Sequence, residues 1–108
     1  MSNQLDVHAV LDALGDPTRR SIVEVLRDGP TPVGLLADAL PVGRPAVSKH
    51  LKVLEGAGLV THHSVGTRNL YVLAPDGLDV VQRWLVHTWD GVLTSFADHI
   101  ESRTGESS

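Results

Sequence analysis

Residues 44–52, RPAVSKHLK, carry side chains whose types and spacing suit them to hold a polyanion. At 100° per residue, Pro45, Ser48, Lys49 and Lys52 fall on one side of a helix, while Val47, Leu51 and Leu54 lie within about 60° of one another on the other side. Arg44 stands at the N-terminal end, where it can reach outward. Ammonium groups neutralise phosphates, a guanidinium can donate a bidentate pair to a guanine edge, and a hydroxyl can reach a base or a phosphate. The N-terminus of such a helix adds unpaired backbone N–H groups to the same face. His50 borders the apolar side, which points to a structural or phosphate-contacting role. These features predict a helix that enters the major groove of double-stranded DNA, although a basic helix face on its own is equally well read as a solvated surface.

The distribution of charge sharpens the contrast. The chain has 108 residues and a net charge of −4. From Arg44 to Arg68 four cations stand against the single carboxylate of Glu55, a local +3 that leaves −7 on the remainder. Repulsion from the acidic remainder should weaken non-specific binding and leave one face usable. The length suits a single domain with a small core, which dimerisation would help. Cysteine is absent, which excludes disulfides, thiolate metal sites and cysteine nucleophiles. No apolar run approaches the ~18 residues that span a membrane, so no membrane partner is expected. The opening MSNQLDVHAV lacks the basic and apolar regions of a signal peptide, and a reducing cytoplasm is the expected compartment.

The elements that must position the basic face follow from periodicity and punctuation. Leu5, Val10, Leu11 and Leu14 predict a first helix over 5–14. Asp16 as N-cap and Pro17 at the first position open a second helix, whose buried side is Ile22, Val23, Val25 and Leu26 and whose stop is Gly29. Thr31 as cap and Pro32 as opener predict a short helix over 32–40. A tight turn leads to the basic helix, 44–57, ended by Gly58. LVTHHS and NLYVL, joined by VGTR, predict a β-hairpin with Gly66 at its turn. Thr67 and Arg68 at the tip would then lie along a minor groove or the backbone as a wing. A long final helix is predicted over 78–100 from Leu78, Val81, Leu85, Trp89, Val92, Phe96 and Ile100, followed by a flexible tail at 101–108. The fold class is mainly α with a β-hairpin wing, a winged helix-turn-helix in the order ααααββα, spanning residues 1–100 as one domain.

LGDPTRRSIVEVLRDGPTPVGLLADALPVGRPAVSKHLKVLEGAGLV, followed by GTRNLYVL, resembles the ArsR/SmtB family of bacterial winged-helix repressors over roughly residues 8 to 100. The resemblance implies a homodimer that binds palindromic operator DNA and responds to a signal. Carried over residue by residue, it implies DNA-facing roles for Arg44, Pro45, Ser48, Lys49, Lys52 and the wing residue Arg68, and His50 also occupies a family-typical position. The absence of cysteine removes the thiolate metal site found in many members. The last helix offers Asp79, His87, Asp90, Asp98, His99 and Glu101, with His87 and Asp90 spaced i, i+3, but the family's Asp-x-His plus His-x-x-Glu arrangement is not matched. The chain thus looks closer to a metal-independent branch, with no metal and no cofactor expected. A small-molecule effector is left open as a partner.

Three of the four aromatic residues, Trp84, Trp89 and Phe96, lie on the last helix. With the apolar stripe of the first helix they predict a dimer seam comprising Leu5, Leu11, Trp84, Leu85, Trp89, Val92 and Phe96. Twofold symmetry would then set two basic helices about 34 Å apart, one turn of DNA. Two alternatives remain at this level. One is a metal-sensing repressor using the last helix, and the other is a winged-helix module whose last helix binds another protein. Catalysis is not expected, because no nucleophile has a paired base, and His62 and His63, adjacent on a strand, point to opposite faces.

Overall fold

The computed structural model describes residues 6–106, with side chains through residue 101. The elements run α1 (Val7–Ala13), α2 (Pro17–Leu26), β1 (Thr31–Pro32), α3 (Val33–Ala39), α4 (Arg44–Gly56), β2 (Val60–Val65), β3 (Arg68–Leu73) and α5 (Pro75–Glu106). This is a winged helix-turn-helix. Its core is made by Val10, Ala13, Ile22, Leu26, Leu36, Val47, Leu51, Leu54, Leu59, Val60 and Val81, all nearly or fully buried. Each buried Leu, Ile or Val contributes about 1.5–3 kcal/mol relative to exposure. Val47, Leu51 and Leu54 are the apolar seam read from the sequence, and they fix which way α4 faces.

Helix stops act through backbone geometry. Gly58 has φ +77°, its N–H bonds the Glu55 carbonyl at 3.0 Å, and the Leu59 N–H bonds the Leu54 carbonyl at 2.9 Å. That is a Schellman closure, and it turns the chain directly into β2. At the hairpin tip Gly66 has φ +64° and Thr67 a negative φ, the glycine-first turn that matches strand twist. Pairing runs from Val60↔Leu73 to Val65↔Arg68, so the turn is two residues, and Arg68 opens β3 instead of lying in a four-residue loop.

Four boundaries depart from the sequence expectation. Helix α1 begins at Val7 with Asp6 as its cap, and Leu5 lies outside the described residues. Thr31 does not cap α3. Thr31 and Pro32 form a third strand, β1, paired antiparallel to Tyr71 and Leu70 of β3. The Thr31 hydroxyl donates instead to the Gly29 carbonyl at 2.9 Å, and Pro32 is tolerated because β1 is an edge strand. Helix α5 begins at Pro75, three residues early, and runs through Glu106, so residues 101–106 of the expected tail are helical. No proline interrupts that stretch, and its one glycine, Gly105, stands at the penultimate position of α5.

The early start of α5 has a packing cause. Gly77 is buried in the first turn, and its N–H bonds the Gly58 carbonyl at 2.8 Å. A Cβ there would lie 2.7 Å from the Ala57 carbonyl oxygen and 3.0 Å from Gly58 main-chain atoms. Glycine is required because backbone meets backbone. Alanine would gain up to about 1 kcal/mol in helix propensity. The overlap with atoms that cannot rotate away costs about 1–3 kcal/mol. Gly77→Ala is therefore expected to lower the thermal midpoint by roughly 5–10 °C, read by circular dichroism. A raised midpoint would show that α5 does not dock on this turn.

Beyond Val81 the last helix leaves the core. Leu85, Trp89, Val92, Leu93, Phe96 and Ile100 are all exposed. The radius of gyration is 19.3 Å, against about 13 Å for a compact domain of this size. A 32-residue helix is about 48 Å long, which accounts for the excess. No helix among the described residues is long and apolar enough to cross a membrane.

Candidate nucleic-acid interface

The interface is built on α4. Its N-cap, Gly43, provides no side-chain cap, Pro45 stands in the first turn, and that turn holds no acid. The first N–H groups are thus left for an external acceptor. Arg44, Pro45, Ser48, Lys49 and Lys52 are all exposed. Glu55, the only carboxylate on α4, is held by His62 Nδ1 at 2.6 Å and so is tied to the root of the wing. The His62 ring also lies 5.1 Å from Tyr71. Partial burial raises the Tyr71 pKa above 10.0, and the Glu55 charge adds to that shift.

The wing meets α3 and α4 across a groove of about 560 Å³. Arg44 and Ser48 line it from α4, and Thr67, Arg68, Asn69 and Tyr71 line it from the hairpin. Four residues singled out from the sequence are therefore brought together, while Pro45, Lys49 and Lys52 stand exposed outside it. Asn69 accepts the Ser64 hydroxyl at 2.9 Å, bracing the hairpin behind its tip. Helix α3 supplies Gly34, Leu35 and Asp38 to the groove; Gly34 and Asp38 did not stand out in the sequence, and Leu35, expected from its apolar character to face inward beside Leu36 and Leu40, is 53% exposed on the groove wall instead. A Cβ at Gly34 would lie 2.5 Å from the Arg44 Nη2, so the guanidinium lies directly over this glycine and any side chain there would push its flexible end aside.

His50 sits differently from its neighbours. It is half-buried, with Nδ1 3.4 Å from Arg19 Nη1 and 3.9 Å from an Asp16 oxygen. Asp16 caps α2 by accepting the Arg19 backbone N–H at 2.9 Å. That bond holds its carboxyl below the usual 3.8, against the opposing effect of partial burial, and the Arg19 charge helps. His50 thus has a structural setting, and Arg19, its partner, was not read from the sequence as part of the site. The DPTRR opening was the available signal. His87 and Asp90 assemble no metal-binding group, and no cluster of three potential ligands exists among the described residues.

A helix-turn-helix domain family matches residues 14–63. The chain is 52% identical over 90 residues to the HTH-type transcriptional regulator Rv2034 of Mycobacterium tuberculosis, covering 83% of this chain and 84% of that protein. The structure matches an ArsR-like transcriptional regulator from Rhodococcus with a TM-score of 0.73 and 33% identity, over 85% of this chain and 90% of that one. The chain belongs to the ArsR/SmtB family. It is an ArsR/SmtB transcriptional regulator with a winged helix-turn-helix fold. The solution structure of a homodimeric winged helix-turn-helix domain from Mycobacterium bovis, also ArsR-like, matches 94% of this chain and 95% of that one, with a TM-score of 0.62 and 27% identity. Metal sensing through α5, the alternative weighed from the sequence, is not favoured for this ArsR/SmtB chain.

Proposed function

We propose that this regulator is a homodimeric repressor that binds a palindromic operator, with α4 in the major groove and the β2–β3 wing on the adjacent backbone or minor groove. It does so without catalysis and works in the cytoplasm. One observation carries the reading. Arg44 and Ser48 of α4 converge with Thr67 and Arg68 of the wing on one groove, while Lys49 and Lys52 flank it and Glu55 is sequestered by His62. In an acidic chain, the exposed face of α4 carries its cations with no carboxylate beside them before Glu55, and Asp38 of α3 is the acid on the opposite wall of the groove. The exposed stripe of α5 supports the dimer, as does the homodimeric state of the M. bovis relative.

Arg44 is suited to a base edge and to the phosphate beside it, Ser48 to a base or phosphate, and Lys49, Lys52 and Arg68 to phosphates. Pro45 and Thr67 shape the two tips that approach the duplex. The test is electrophoretic mobility against the chain's own upstream DNA across a series of salt concentrations. Four phosphates neutralised per protomer give a log–log slope of about −7 per dimer. A flat salt response would remove the electrostatic basis of the proposal.

A further inference from the structure

Arg19 touches three elements at once. Its Nε donates to the Ala13 carbonyl at 2.7 Å and its Nη2 to the Asp12 carbonyl at 3.3 Å, closing the C-terminus of α1. Its Nη1 lies 3.4 Å from His50 Nδ1 on α4. Its backbone N–H is fixed by the α2 cap, Asp16, whose carboxylate also approaches His50. A guanidinium can only donate, so Nδ1 of His50 is the acceptor, and the neutral ring carries its proton on Nε2. Helix α1 packs against α5. One side chain therefore joins the helix pair proposed to form the dimer seam to the helix proposed to read DNA.

Arg20 provides the internal contrast. Its Nη1 donates to the Leu14 carbonyl at 2.9 Å, so it closes the same end of α1, but among the described residues it has no partner on α4. Capping α1 does not require Arg19 to reach His50, and that reach is the feature in need of a role. Helix α4 is about 20 Å long, so a tilt of about 10° moves its far end by about 3.4 Å, one base-pair step. Small changes in its direction relative to the seam are thus enough to mismatch two half-sites.

We propose that Arg19, through His50, is a positioning residue that fixes the direction of α4 relative to the α1–α5 seam, and thereby the half-site spacing the dimer accepts. This rests on the dimeric operator reading above. The experiment uses the full chain and the palindrome recovered by in vitro selection with the wild-type protein, remade with half-site spacing changed in single base-pair steps. Competition binding at one salt concentration is measured for wild type, Arg19→Gln, Arg19→Lys and Arg20→Gln, with sedimentation to confirm dimers.

Wild type and Arg20→Gln should share one preferred spacing, with affinity falling at least tenfold two base pairs away. Arg19→Gln should remain dimeric and flatten that preference to less than threefold. Arg19→Lys should not restore it, because one ammonium cannot serve two carbonyls and an imidazole in this geometry. Nitrogen NMR of His50 should show the Nε2–H tautomer in wild type and a changed population in Arg19→Gln. If Arg19→Gln fails to fold, His50→Ala cuts the α4 end of the connection, leaves α1 closed, and should flatten the same profile. A wild-type spacing profile in the Arg19→Gln dimer, or in the His50→Ala dimer where that variant stands in, overturns this inference alone, as does an equal loss of affinity at every spacing. A wild-type protein indifferent to spacing overturns the dimeric operator reading, and this inference with it.

Discussion

Lys49→Glu is expected to reduce operator affinity by two to three orders of magnitude while leaving the protein folded and dimeric. Lys49 is exposed near the middle of the cationic side of α4, away from the buried seam of Val47, Leu51 and Leu54. The substitution removes one phosphate contact per protomer and sets a carboxylate against the backbone in its place. Like-charge juxtaposition at an interface costs several kcal/mol, and a twofold assembly meets it twice. Stability should change by less than about 0.5 kcal/mol, because the site is exposed and Glu and Lys have similar helix propensity. Lys49→Gln separates lost attraction from added repulsion. It should weaken binding evenly across sequences and reduce the salt slope by about one per protomer, from about −7 to about −5 per dimer. Anisotropy titrations at three salt concentrations, with thermal melts of each variant, read all of these quantities. Unchanged affinity in the Lys49→Glu protein would mean that α4 presents another side to the duplex.

Much of that site was legible in the chain because it rests on local rules. A helix that must bury Val47, Leu51 and Leu54 has no choice about where Ser48, Lys49 and Lys52 go. Gly58 and Gly66 announced their turns because both positions need positive φ, which both glycines adopt. What escaped was set by distant contacts. A two-residue strand shows no alternation, so β1 was indistinguishable from a helix cap until Tyr71 and Leu70 were seen to pair with it. Gly77 has no local pattern that announces its role, which is to admit the Ala57 and Gly58 backbone. Gly34 is an unremarked small residue until Arg44 is folded over it. Arg19 and His50 are 31 residues apart, and no periodicity links them. Side chains that form a face could be read from spacing, while those that hold one face against another needed the tertiary structure.

Trp89→Glu is expected to convert the dimer to monomer and to take operator binding with it. Trp89 is 49% exposed, at the centre of an apolar face shared with Leu85, Val92 and Phe96. None of these four belongs to the core cluster. A Trp side chain buries about 150–250 Å² when fully covered. Covering the exposed half therefore contributes about 2–3 kcal/mol per protomer at 25 cal/mol per Å². Symmetry places two copies in one seam, so the dimer dissociation constant should rise by at least about a thousandfold, measured by sedimentation equilibrium. Trp89→Phe keeps most of the apolar area and should shift it far less. The monomer should keep α1–α4 and the hairpin, because their core is complete without this face, but the outer half of α5 should fray. Amphipathic helices are held mainly by what they pack against. Far-UV circular dichroism should therefore lose helical signal in proportion to dissociation, and the wild-type spectrum should show the same loss on dilution. A monomer reads one half-site, so its affinity should fall toward that of non-specific DNA although Arg44, Ser48 and Lys49 are untouched. A Trp89→Glu protein that still sediments as a dimer would place the seam elsewhere and leave the exposed face of α5 to a different partner.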